Sequence, residues 1–235
     1  MTRSIWTPGK NSWATGGSAS RTKVEIFPLL EPFLTGSSGE LTKSAVQGPR
    51  IILELAAGFG EHVVYFASQA SSDSVEFQPT EAQQECISGI SRQIAESTDI
   101  LKNRIRTPLE LNVLSEDHWN SVLKVAGKPY NGIYLFNMLH ISPWDSTVSL
   151  FRNAAKYAYT PASAFLAVYG AFKRNGEFTS EGDRLFDLDL KRRDQSWGIR
   201  DLESEIIPEA EKNGFVLKVC HMAASNNLFL VWTLY

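Results

Sequence analysis

The sequence predicts an α/β fold, a mainly parallel sheet that ends in a C-terminal antiparallel hairpin. Three observations carry this expectation. From Arg50 onward short apolar runs alternate with longer stretches of helical periodicity, and each parallel crossover needs such a connecting helix. Two strand-like runs, Phe215 to Cys220 and Leu228 to Leu234, close the chain, joined by a short turn region over Met222 to Asn227. The composition, 235 residues with 43% hydrophobic and 21% charged, is that of an ordinary single-core globular chain.

The elements follow in order. Ile51 to Leu55 reads as the first strand, and a glycine-containing turn separates it from an amphipathic helix over His62 to Gln69. Ser74 to Phe77 is the second strand, followed by a helix over Gln83 to Ile94 that places Cys86, Ile87, Ile90 and Ile94 along one face. A third strand fits Leu109 to Leu114, a helix Trp119 to Val125, and a fourth strand Gly132 to Phe136. Val148 to Tyr157 is helical and Ser163 to Tyr169 strand-like. Lys173 to Asp201 is a polar insertion, rich in charge and in Trp and Phe. The first stretch, residues 1–48, is broken by Gly, Ser, Thr and Pro around one apolar island at Ile26 to Leu34. It reads as a loose arm with one short helix, either passive padding or a lid, ahead of a domain over residues 49–235.

Charge and cysteine usage narrow the function. Lys+Arg 23 against Asp+Glu 26 leaves a net charge of −3, with no surplus for a polyphosphate backbone, so a nucleic-acid partner is not expected. Cys86 and Cys220 sit in apolar surroundings that suit reduced core thiols and lack metal-ligand spacing, so neither disulfide nor metal is expected. No apolar run is long enough for a membrane span and no signal-peptide segment opens the chain, which points to the cytoplasm. Oligomeric state is not readable.

In open α/β sheets ligands sit beyond the carboxyl ends of the strands. After the first strand comes Glu54-Leu55-Ala56-Ala57-Gly58-Phe59-Gly60-Glu61-His62, whose small residues allow a sharp turn and close approach of a ligand to the following helix N-terminus. Gly-x-Gly-x-x-Gly is absent. The spacing instead resembles the glycine-rich turn of class I S-adenosylmethionine-dependent methyltransferases, with Ala56 at the first glycine. Glu81, or Gln78 nearer the strand end, stands where a polar group reaches ribose hydroxyls; Glu81 is equally suited to a helix N-terminus. Asn112, followed by Val113, occupies the place of the acid that accepts from the adenine amino group, or else caps its own turn.

Longer runs sharpen the resemblance. Tyr130 to Trp144 contains Asn137-Met138-Leu139-His140-Ile141-Ser142-Pro143-Trp144; Tyr169-Gly170-Ala171-Phe172-Lys173-Arg174 follows the fifth strand; Trp197-Gly198-Ile199-Arg200-Asp201 closes the insertion; Asn226-Asn227 opens the last strand. Together they resemble the small class I methyltransferase-like family that includes methyltransferase-like protein twenty-six, over nearly all the chain from Ser18. The resemblance implies a Rossmann-like methyltransferase sheet with S-adenosylmethionine over the glycine turn, and no particular substrate. The chain departs from the family at Ser20-Arg21-Thr22-Lys23, at Asn112 and at Met222-Ala223-Ala224-Ser225.

The chemistry of methyl transfer needs an aligned nucleophile and, where necessary, a base. His140, just after the fourth strand, has an unperturbed pKa suited to a base at neutral pH. Asn137 is the candidate to hold the nucleophile or the cofactor's amino-acid end. Lys173 and Arg174 suit an anionic substrate or the cofactor carboxylate, or form a solvated basic pair. Trp144, Tyr169 and Trp197 are candidates for an aromatic pocket, with Arg200 and Asn227 beside it, although Arg200 and Asp201 also suit a mutual ion pair. The candidate cofactor contacts are therefore Glu54, Ala56, Gly58, Gly60, His62, Gln78, Glu81, Asn112, Val113 and Asn137. The leading expectation is a methyltransferase acting on an O or N atom of a small molecule in a biosynthetic pathway. A cyclase or isomerase on the same fold, and a non-enzymatic binding protein, are the alternatives.

Overall fold

The computed structural model describes residues 18–41, 48–157, 164–223 and 226–235. Residues 1–17 and 42–47 of the expected arm, and Ser163 at the start of the fifth strand, lie outside the described residues.

The strands are β1 (Arg50–Leu55), β2 (Val75–Glu81), β3 (Leu109–Glu110), β4 (Gly132–Phe136), β5 (Phe165–Gly170), β6 (Phe172–Lys173), β7 (Arg200–Asp201), β8 (Phe215–Met222) and β9 (Leu228–Leu234). Seven of them form one sheet in the order β3-β2-β1-β4-β5-β9-β8, while β6 and β7 pair separately. β1 through β5 run parallel and β9 lies antiparallel between β5 and β8. The α/β sheet with a terminal antiparallel hairpin is thus what the sequence forms. Its order reverses between β1 and β4, so the crevice beyond their carboxyl ends is the place for a ligand.

The helices are α1 (Ser18–Thr35), α2 (Glu61–Gln69), α3 (Gln84–Ala95), α4 (Asp99–Arg104), α5 (Glu116–Ala126), α6 (Trp144–Tyr157), α7 (Glu181–Arg193) and α8 (Ile207–Lys212). Side chains of β1 alternate between two cores. Ile51, Leu53 and Leu55 face Trp119, Leu150 and Phe151 on α5 and α6, whereas Ile52 shares a core with Ile26, Leu30, Val63 and Phe66 on α1 and α2. That two-sided burial explains the near-continuous apolar reading of the strands.

Several boundaries differ from expectation. Helix α1 extends well beyond the Ile26–Leu34 island although Pro28 and Pro32 lie inside it. Proline removes helical N–H donors, so propensity alone does not sustain this helix. Burial does: Ile26, Leu30 and Leu34, four residues apart, are fully buried. Arg50 also donates to Leu34 O (2.9 Å) and Phe33 O (3.3 Å), satisfying carbonyls at the helix C-terminus. The third strand is only Leu109–Glu110, because Asn112 Oδ1 accepts the Leu114 N–H (3.0 Å) and turns the chain toward Ser115, the cap of α5. The second strand runs on past Phe77 to Glu81, and α6 begins at Trp144 rather than Val148. Cys86 is buried as expected of a core thiol, but Cys220 is exposed on the edge strand β8.

Candidate active site

The turn after β1 contains three left-handed residues, Ala56 (φ 52°), Gly58 (φ 58°) and Gly60 (φ 86°). The two glycines have different tasks. A Cβ on Gly60 would stand 3.2 Å from Ile90, so its absence lets the turn pack on α3. A Cβ on Gly58 would meet nothing within 4 Å, which leaves the backbone open to close approach by a ligand. Glu81, the last residue of β2, accepts the Gly58 N–H at Oε2 (2.9 Å) and the Ala82 N–H at Oε1 (2.7 Å). Burial raises its pKa, against the pull of those N–H groups.

Glu54 at the end of β1 is 2% exposed, and its Oε2 has no hydrogen-bond partner. Burial pushes its carboxyl well above the usual range. Tyr134, opposite it in the β1–β4 register, lies near enough to counter that rise, yet its hydroxyl is outside hydrogen-bond geometry. An orphaned buried carboxyl oxygen beneath an open glycine turn fits the cationic, hydroxyl-bearing S-adenosylmethionine. Glu54, Gly58 and Glu81 are the residues that could hold it.

Beyond β4, Asn137 takes a left-handed conformation (φ 56°) and donates its N–H to Tyr169 O (2.8 Å). His140 follows in a short 3-10 turn over Leu139–Ile141 and is 5% exposed. Its ring meets Phe186 edge-on with centroids 5.3 Å apart. Burial first, and the Arg200 charge second, lower its pKa to about 4. At neutral pH the ring is uncharged. Its pKa thus lies below the unperturbed value assumed from the sequence, which makes the ring a weaker base than the free side chain.

The insertion wraps this loop. Gly198 N–H donates to His140 O (3.0 Å), and Arg200 Nη2 donates to Ser142 O (2.8 Å) and Ser196 O (2.9 Å), its guanidinium 5.9 Å from the Trp144 ring centre. The expected Arg200–Asp201 pair does not form among the described contacts. Asp201 instead accepts from Ser204 N (2.7 Å) and Gly176 N (2.5 Å), capping the segment that leads into α8. Adjacent strand residues point to opposite faces, so the two were never aimed at one another. Arg174 is paired with Glu203 (2.5 Å) and Lys173 Nζ lies 4.7 Å from the Phe178 ring centre, so neither stands as a solvated basic pair. Trp197 is half-buried against Ala171, Leu190 and Ile199.

Other candidates separate. Asn227 Nδ2 donates to the Tyr169 hydroxyl (3.0 Å), joining the β9 start to the β5 end. His62 is partly buried in the first turn of α2, with Nε2 3.1 Å from Thr22 Oγ1 of α1 and its ring 5.1 Å from that of Phe136. Burial and the nearby Lys23 hold its pKa down to about 4. Gln78, in contrast, is fully buried within β2, where its amide donates to Thr107 O (2.8 Å) and so bridges the β2 edge rather than reaching a ribose. Asn112 serves its own turn, and its N–H donates to His118 Nδ1 (3.1 Å). Val113 is buried, its carbonyl accepting from Trp119 Nε1 (2.9 Å) and Ser149 Oγ (2.5 Å). Sequence reasoning missed Gly170 and Phe186. A small residue at a strand end was the available signal for the first; the second reaches His140 only by the folding back of α7. Among the described residues no group of His, Cys, Asp and Glu is placed to hold a metal, and no helix is long and apolar enough to cross a membrane.

Solved structures share this architecture. An O-methyltransferase family protein from Burkholderia thailandensis is similar at TM-score 0.65 and 13% identity, over 92% of this chain and 59% of that one. Human N-acetylserotonin methyltransferase in complex with S-adenosylmethionine is similar at TM-score 0.68 and 10% identity, over 94% and 54%. A pericyclic reaction enzyme is similar at TM-score 0.65 and 11% identity, over 87% and 47%. This chain spans 47% to 59% of the length of those three proteins. With the strand order above, the likeness defines the fold as that of the class I S-adenosylmethionine-dependent methyltransferases. A family described as a protein of unknown function, DUF938, is matched over residues 38–234, and the chain belongs to it.

Proposed function

We propose that this protein is an S-adenosylmethionine-dependent methyltransferase acting on an O or N atom of a small molecule in a biosynthetic pathway in the cytoplasm. One observation carries the reading: the Glu81 carboxylate, fixed by the Gly58 N–H (2.9 Å), stands at the strand end beside the open glycine turn. That carboxylate keeps lone pairs for vicinal hydroxyls, and Glu54 supplies a second, unpartnered carboxyl oxygen nearby in sequence. When bound, the cofactor supplies an electrophilic methyl group on a sulfonium. The chain's part is to align the acceptor through Asn137 and His140, with Trp144, Tyr169, Arg200 and Asn227 around it. A neutral His140 also avoids placing a second positive charge near a sulfonium. The kinship with the family that includes methyltransferase-like protein twenty-six rests on the Asn137–Trp144 and Trp197–Asp201 runs. Residues 1–48 act as an accessory segment to the 49–235 domain, with α1 docked against α2 and the sheet as a wall.

Calorimetry with S-adenosylhomocysteine tests the proposal. Binding by the intact protein is expected, and Glu81→Ala should weaken it about tenfold or more through lost charge-assisted hydrogen bonds. No heat of binding with folded protein overturns it. A cyclase or isomerase is the second reading, favoured by the low His140 pKa, which suits orientation without proton transfer. Substrate turnover that persists after the cofactor is stripped decides for that alternative.

A further inference from the structure

The side chains of Asn137 and His140 make no hydrogen bond to any described residue, although His140 is 5% exposed. Neither side chain's polar atoms are among those sealed from solvent, so both are open to a ligand that enters beside them. The two meet over Gly170. A Cβ there would stand 3.3 Å from His140 Nδ1 and 3.8 Å from Asn137 Oδ1. Only a residue with no side chain leaves both polar atoms uncovered at the carboxyl end of β5.

The surroundings decide what fits. The carboxamide is neutral, and so is the imidazole at neutral pH. The cation nearest in the insertion, Arg200, has spent Nη2 on Ser142 O and Ser196 O, and its Nε is sealed from solvent. Its guanidinium therefore offers no side-on fork to a carboxylate. A carboxylate would also give up its hydration among neutral groups with no cation free to pair it. A protonated amine would meet the Arg200 charge. A hydroxyl escapes both penalties, because one oxygen donates to Asn137 Oδ1 and pairs with the ring nitrogen of His140. The flanking walls are Phe186, Ile141 and Trp144, partly buried and apolar, which favour a flat partner.

We infer that Asn137 and His140, brought together over Gly170, form the acceptor subsite and select an uncharged hydroxyl on a flat, apolar molecule, with Gly170 as the specificity-determining residue. This rests on the methyl-transfer reading and narrows it to an uncharged acceptor, with a hydroxyl favoured over a carboxylate or a protonated amine.

The experiment titrates the full chain, with and without saturating S-adenosylhomocysteine, against three probes of equal ring size: 2-naphthol, 2-naphthoate and 2-naphthylmethylammonium. Naphthol should bind about tenfold or more tighter than either charged probe, the scale on which hydrogen-bonding sites reject mismatched groups. Gly170→Ala should weaken naphthol binding about tenfold while leaving S-adenosylhomocysteine affinity unchanged. Should that variant fail to fold, Asn137→Gly, which suits the left-handed backbone at 137, should erase the preference for naphthol over naphthoate. Naphthol binding no tighter than naphthoate, absence of binding of all three included, overturns the subsite, as does selectivity that survives in the folded variants. Selective naphthol binding by a protein that does not bind S-adenosylhomocysteine keeps the subsite and removes the methyl-transfer reading.

Discussion

Ala56 holds φ 52° in a turn whose other two left-handed positions are glycines. For a residue with a Cβ that conformation costs about 1–2 kcal/mol, and here it is retained beside the open glycine turn. Ala56→Gly should therefore raise stability by less than about 1 kcal/mol, since the relief is partly offset by the freedom glycine adds to the unfolded chain. Gly58→Ala should lose about 1 kcal/mol from backbone strain alone, because its new Cβ touches no protein atom. The same methyl intrudes on the ligand's approach, so S-adenosylhomocysteine affinity should fall out of proportion to stability. Urea unfolding and calorimetry on both variants separate the two effects; a Gly58→Ala protein that binds normally would show that the ligand lies elsewhere. At this scale the sequence was legible where a residue's role is local. The glycine turn and Glu81 belong to that group. Gln78 does not, because its amide partner, Thr107, lies on the edge segment before β3 and adjoins Pro79, which has no N–H of its own to offer.

Helix α1 shows how packing overrides local propensity. Two internal prolines weaken it, yet Ile26, Leu30 and Leu34 are sealed against α2 and the sheet, and Phe27 meets Phe66 with ring centres 5.8 Å apart. Polar ties join its N-terminal half to α2: Thr22 to His62 (3.1 Å) and Ser20 to Glu61 (2.9 Å). Leu30→Ala should cost about 3 kcal/mol as a core truncation. Thr22→Val should cost about 1 kcal/mol by depriving the partly buried His62 of its partner. Chemical denaturation measures both, and a Leu30→Ala loss below about 1 kcal/mol would mean that α1 undocks readily and acts as a lid. The insertion is the other element whose purpose emerges only on folding. Its charged composition reads as a solvated connector, whereas α7 turns Phe186 toward His140 and buries Asp187 against Ile199 N (2.7 Å).

Across the whole molecule, buried ionisable groups set opposing pH dependences. His62 and His140 have folded pKa values of about 4 against 6.5 for the free side chain. Between those values the unfolded imidazoles bind protons that the folded ones refuse, so stability falls as pH drops from 6.5 toward 4, by up to about 3 kcal/mol for each ring. Glu54 and Glu81 work in the other direction. Their folded pKa values lie above 4.5, so their contribution is fully present below that pH and is lost as pH rises through the folded values. Glu54→Gln should accordingly exceed the wild type in stability at pH 8 and converge with it near pH 4, in urea melts across that range; parallel profiles would mean that Glu54 is ionised without penalty. The sequence by itself determined the sheet class, the position of the glycine turn and the terminal hairpin, because periodicity and turn chemistry are properties of neighbouring residues. Only the tertiary structure decided that Asn137, His140 and Gly170 converge, that Arg200 serves carbonyls rather than Asp201, and that the His140 ring is buried and uncharged at neutral pH. Those outcomes depend on burial and on contacts between distant segments, and a side chain's desolvation is set by what the fold places around it.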